Sequence, residues 1–309
     1  MTGAEPAGSG PPPAPGAAAG GPVVAAVDGS DSSYAAAGWA TGEAACRQVP
    51  LLLVAAVPWT TFLPVGLPHL GEEYGRDAMV RHAERCLEQA AGPARRALGP
   101  ERVGSEVRGG SAAEVLWEVS GTAGLLVLGS RGRGGFATLL AGSVAVAAAA
   151  TAQCPVVVHR APGDPGGPVV VGVHDVTGPA LGFAVEHALA HRAPLVAVHA
   201  WFDHDMDPYT AELLARDGRQ AAALDAAADR VRTALAPWRS RYPELDARER
   251  VLLDNPAGAL VGESPRARLV VVGTHGRGPL SGALLGSTGQ AVLRHAGCPV
   301  AVVGAPGTR

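Results

Sequence analysis

Lysine is absent from the 309-residue sequence: all 25 basic residues are arginine. A Walker A lysine, a Schiff-base lysine and a lysine general base are therefore excluded. Aromatic residues are scarce at 4%, although hydrophobic residues as a whole reach 47%. The apolar mass is mostly Ala, Val and Leu, which suits parallel strands covered by helices better than an aromatic-rich sandwich. The four cysteines, Cys46, Cys86, Cys154 and Cys298, form no CxxC. Neither a zinc knuckle nor a vicinal redox pair is indicated, and a reducing cytoplasm is the expected setting. No stretch of about 18 apolar residues lacks Gly, Pro or charge, so no membrane span is predicted. A formal net charge of −3 gives no general basic face for nucleic acid or anionic lipid. Residues 1–21, Gly, Ala, Pro and Ser with one charge, lack the basic start and leucine-rich core of a secretory signal and are predicted to form a disordered tail.

What is present is a repeat. Gly129, Gly132, Gly142, Ser143, Cys154 and Pro155 recur as Gly273, Gly276, Gly286, Ser287, Cys298 and Pro299, each 144 positions on. Upstream, "PVVAAVD" (22–28) recurs as "PVVVGVH" (168–174). Two copies of one domain follow, at 22–160 and 168–305, joined by a linker at 161–167. In the first copy, strands are predicted at 22–27, 51–57, 103–108, 124–129 and 155–159, with helices at 31–47, 76–98, 111–120 and 142–152. In the second, strands are predicted at 168–173, 194–199, 249–253, 268–273 and 299–303, with helices at 178–191, 209–239, 256–264 and 286–296. Short continuous apolar strands alternating with helices indicate an α/β fold, here two tandem doubly wound five-stranded parallel sheets with helices on both faces.

Both glycine motifs follow a strand, where ligands of open α/β sheets sit. The pattern is G-x2-G-x9-G-S in each copy: Gly129, Gly132, Gly142, Ser143 and then Gly273, Gly276, Gly286, Ser287. Glycines let backbone approach a ligand closely, and a helix starting at Gly142-Ser143 offers exposed N–H groups and a dipole to an anion. Ser143 can cap that helix or donate to a phosphate oxygen. No Asp or Glu occurs from Val119 to Gly163 or from Ser264 onward, whereas Arg131, Arg133 and Arg277 lie in the loops. "GRGGFA" (132–137) also fits GxGxxA, but it follows a late strand and no acidic residue lies about twenty positions on, as a dinucleotide site requires.

Together "VVAAVDGSDSS", "LLVLGSRGRGGFATLLAGSVA" and "LVVVGTHGRGPLSGALLGSTGQAVLRHAGCPVAVV" resemble the universal stress protein family, in its ATP-binding branch, with two domains in tandem. The resemblance implies a strand order of 3-2-1-4-5, ATP as ligand with Mg2+, pairing of domains through their last strands, a homodimer, and a regulatory role in stress survival. It also implies that Asp28 contacts the adenosine part. The phosphate loops are implied to be Gly129, Gly132, Gly142, Ser143 and Val144, with Gly273, Gly276, Gly286, Ser287 and Thr288 in the second copy. The second copy departs where His174 stands in place of Asp28 and Asp175-Val176 replaces Gly29-Ser30. A turn aspartate that caps the first helix is the plainer role for Asp28.

Other clusters carry less. Asp203-His204-Asp205-Met206-Asp207 has metal-ligating residue types but reads as a solvated acidic loop. His187 and His191 have i,i+4 spacing, yet no Glu follows His187 as HExxH requires, so the pair is not read as a zinc site. Cys154 and Cys298 precede the last strands and read as small buried residues. The first strand lacks the HxGH-like or SGGxDS-like loop of an adenylyl-transferring hydrolase, and no general base accompanies the glycine loops. The competing reading is a scaffold in which the glycine loops are inherited and the last strands "PVVVH" and "PVAVV" pair with partners.

Overall fold

The computed structural model describes residues 20–58, 72–132, 142–174, 178–200, 219–252, 254–274 and 285–304. In the first half, strands β1 (Val23–Ala26), β2 (Leu51–Val57), β3 (Val103–Gly109), β4 (Leu125–Gly129) and β5 (Val156–His159) alternate with helices α1 (Asp31–Arg47), α2 (Glu72–Leu98), α3 (Ala112–Ser120) and α4 (Ser143–Thr151). The second half repeats this with β6 (Val169–Gly172), β7 (Leu195–Ala200), β8 (Ala247–Leu252), β9 (Leu269–Gly273) and β10 (Val300–Val303). Its helices are α5 (Pro179–His191), α6 (Arg219–Arg241), α7 (Pro256–Glu263) and α8 (Ser287–His295). The second helix begins at Glu72, four residues before the predicted start.

Each half has the order 3-2-1-4-5 with every internal pairing parallel. The two halves are not separate sheets. β5 and β10 pair antiparallel and make one ten-stranded sheet, β3-β2-β1-β4-β5-β10-β9-β6-β7-β8. In that junction Val157 faces Ala301, and Val156 and Val158 face Val302 and Val300. Val157 and Ala301 are equivalent positions of the repeat, so a local twofold axis passes through this pair.

The strands are buried on both faces, which explains their unbroken Val, Leu and Ala runs. Val23 and Ala25 of β1 face the core beneath α1, α2, α5 and α6, while Val24 faces the core beneath α3, α4, α7 and α8. Both cores run across the junction. The linker is packed as well: Asp164 N–H donates to Ala267 O (3.1 Å), and a Cβ on Gly167 would collide with the Arg266 carbonyl oxygen. Arg160 reaches across the junction and caps the end of α8 through Ala296 O (3.1 Å) and Leu293 O (2.8 Å).

Helices α1 and α5 end alike. Gln48 (φ 56°) and Arg192 (φ 50°) take the left-handed conformation, and their N–H groups return to the last carbonyls of each helix. These equivalent caps set the two helices in the same register relative to the twofold axis.

Candidate functional site

The first glycine loop leaves the carboxyl end of β4, beside β1, where the strand order reverses. Gly129 is required there by close approach. A Cβ on it would lie 2.6 Å from Ser32 Oγ and 2.8 Å from the Ser32 carbonyl, so only glycine lets β4 end against the first turn of α1. Ser32 Oγ in turn accepts from Arg131 N–H at 3.4 Å.

The turn from β1 to α1 is built by Asp28, Gly29 and Ser30. Gly29 has φ 84°, a conformation that disfavours side chains, and a Cβ there would meet Cys86 Sγ at 2.6 Å. Asp28 Oδ1 accepts from Ser30 N–H (3.0 Å) and Ser30 Oγ–H (2.6 Å). Ser30 is the N-cap of α1, its Oγ accepting from Ser33 N–H at 3.2 Å. The helix-capping role expected of the aspartate thus belongs to Ser30, with Asp28 orienting it. Oδ2 of Asp28 lies toward Gly132: a Cβ on Gly132 would stand 2.7 Å from it. Asp28 and Gly132, 104 positions apart in sequence, therefore share one crevice.

The far end of the loop returns to the strand through Gly142 N–H, which donates to Ser130 O at 2.8 Å. Gly142 is the N-cap of α4 and provides no side-chain cap, and Ser143 is the first helical residue rather than the cap. The leading N–H groups of α4 are thus not satisfied by a capping side chain, with Ser143 and Val144 exposed. Arg131 is exposed at the loop and contributes positive potential. The Arg160 guanidinium is lowered first by burial and second by the charge of Arg131. His159 closes β5 opposite Gly129, and burial pulls its imidazole below the ordinary value.

The second loop repeats the closure. Gly286 N–H donates to Thr274 O at 3.1 Å, and Gly286 is an N-cap without a side-chain cap on α8. Gly273 ends β9, and Ser287 and Thr288 open α8. His174 is exposed where the first half has Asp28. Gly276 and Asp175 lie outside the described residues, as does the Asp203–Asp207 cluster.

Ser30, Ser32 and His159 shape the first site without having been singled out by sequence reasoning. Ser30 and Ser32 had a signal in "DGSDSS", a capping-type run before a helix, but their fit against the β4 loop is tertiary. A separate hollow of about 550 Å³ lies under α2, against Val57, Leu87, Glu88 and Val107, and it includes none of the glycine-loop residues.

A family model described as "Universal stress protein family" matches residues 21–160 and again 167–304. A universal stress protein of Mycobacterium tuberculosis is 37% identical over 294 residues, covering 91% of this chain and 96% of that one. Another from Mycolicibacterium smegmatis is 33% identical over 296 residues, with 91% and 96% covered. Among solved structures, a universal stress protein from Archaeoglobus fulgidus superposes with a TM-score of 0.61 at 18% identity, covering 91% of this chain and 97% of that chain. That last likeness concerns the fold.

Proposed function

The chain belongs to the universal stress protein family, and from that premise we propose that it is an ATP-binding regulatory protein whose first half holds the nucleotide. The observation that carries the reading is the meeting of the Asp28 carboxylate with the Gly132 backbone beside the uncapped start of α4. A carboxylate there accepts hydrogen bonds from ribose hydroxyls or the base amine. Across the crevice, the loop from Gly129 to Gly132, the Gly142 turn and the Ser143 hydroxyl offer donors to phosphate oxygens. Mg2+ would accompany the triphosphate, and the exposed Arg131 would offset part of the remaining charge.

The second loop has the same closure but His174 in place of the aspartate. An imidazole is a poorer acceptor for paired hydroxyls than a carboxylate, so we assign one ATP per chain at the first half and weaker or no binding at the second. We read the β5–β10 junction as the tandem counterpart of pairing through last strands. A role in stress regulation and a cytoplasmic setting belong to this reading; no described helix is long and apolar enough to cross a membrane.

The test is to denature the purified protein, assay the released nucleotide, and titrate the refilled or nucleotide-free chain with ATP in Mg2+. Bound ATP near one equivalent supports the reading. No released nucleotide together with no titratable binding sinks it and leaves the scaffold, which His174 favours for the second half.

A further inference from the structure

We propose that Glu43 of α1 and His187 and His191 of α5 form a site for a zinc-type divalent cation at the axis between the two halves. Sequence reasoning set the histidine pair aside because no Glu follows His187 as HExxH requires. The fold supplies the carboxylate from the other half of the chain.

The geometry follows from the pseudo-symmetry. Counted from their left-handed caps, Glu43 and Arg47 are equivalent to His187 and His191, so the last turns of α1 and α5 face each other across the axis. Cys46 and Ala190, likewise equivalent, touch there through Sγ–H donating to the carbonyl at 3.3 Å. Glu43 Oε2 lies 2.9 Å from His191 Nε2, and Oε1 lies 3.3 Å from His187 Nδ1. One ligand atom from each residue falls within 4.8 Å of the others. Metal–ligand lengths of about 2.0–2.2 Å in a tetrahedron require edges of about 3.4 Å, so small rotamer shifts close the set.

The second observation is His187 itself. It is 1% exposed, and neither ring nitrogen makes a hydrogen bond. A buried imidazole that satisfies no hydrogen bond is costly, and here its Nδ1 has only the Glu43 carboxylate, at 3.3 Å, with a second imidazole beside it. Trp39 and Phe183 stack on it at 6.1 and 6.2 Å, which orients the ring and keeps water away. The His191 side chain is 18% exposed, and this gives an entry path and room for a fourth, water ligand. Two imidazoles and a carboxylate match zinc rather than magnesium or calcium, which prefer all-oxygen sets.

Two arginines bear on the site. Arg47 Nε donates to Glu43 Oε1 at 2.5 Å and fixes the carboxylate, leaving Oε2 toward His191. Arg268 Nη1 stands 3.4 Å from His191 Nδ1 and opposes a cation by its charge.

The experiment uses the full chain, stripped with chelator, dialysed, and titrated with Zn2+ by calorimetry, with zinc content measured by atomic emission. The His187→Gln/His191→Gln double variant is expected to lose one zinc equivalent. His191→Gln alone, at a partly exposed position, is expected to weaken that equivalent at least tenfold while its zinc-free thermal midpoint stays near wild type. Arg268→Met is expected to tighten it. Equal zinc stoichiometry and affinity in wild type and His191→Gln overturns the proposal, as does the absence of zinc binding to the folded wild-type chain.

Discussion

At the residue scale, the first site turns on atoms that leave no room for a side chain. Gly132→Val places a Cβ within 2.7 Å of the Asp28 carboxylate without entering the core. ATP affinity is expected to fall at least tenfold, about 1.4 kcal/mol, with little change in thermal midpoint; a calorimetric titration measures the first and a melting scan the second. Unchanged affinity would remove Asp28 and Gly132 from the nucleotide site. Chemistry can be excluded at this scale too. Burial raises the Cys154 and Cys298 thiols to about 12. A raised thiol pKa keeps the neutral, unreactive form, so at pH 8 on the order of one thiol in ten thousand is ionised. Iodoacetamide at pH 8 is expected to leave both intact in the native protein and to alkylate them in urea, as peptide mass mapping reads directly. The sequence already marked both cysteines as small buried residues.

At the element scale, the helix starts divide into those closed by a side chain and those left to their glycines. α1, α3 and α7 are capped by Ser30, Ser111 and Asn255, the second in a full capping box with Glu114. α4 and α8 begin at Gly142 and Gly286 with no side-chain cap. Ser111→Ala is expected to cost about 1 kcal/mol of stability in urea unfolding without altering nucleotide binding. Ser30→Ala is expected to cost a similar amount and also to weaken ATP, because Ser30 Oγ–H is the shorter of the two donors that hold Asp28 Oδ1. Equal affinity in the two variants would detach the α1 turn from the site. Element boundaries were legible from apolar runs and turn residues to within a residue or two for most strands. The start of α2 was not, because the residues just ahead of it, Pro68 to Gly71, include no Ser, Thr, Asp or Asn to mark the first turn.

At the scale of the whole molecule, the decisive event is the union of the two halves. Val157 and Ala301 are fully buried in the junction. A half-chain ending at residue 160 would expose the β5 edge, an invitation to pair. Such a fragment is expected to elute as a dimer in light-scattering chromatography, with Val157 meeting its own copy. A stable monomer would mean that strand pairing across the axis contributes little. In the full chain, Ala301→Asp buries a charge with no partner, and a loss of at least 3 kcal/mol is expected in urea unfolding, together with greater proteolysis at the linker.

By itself the sequence determined the class of fold, the duplication and the glycine spacing, because local hydrophobic period and backbone freedom are written in neighbouring residues. It also marked the asymmetry between Asp28 and His174. Tertiary structure alone decided three things: the register in which the last strands join the two sheets into one, that Ser32 and Asp28 are what the loop glycines make room for, and that Glu43 meets His187 and His191. Each is a contact between segments about a hundred or more residues apart, or between two copies of a repeat, and no local pattern encodes the distance at which such partners meet.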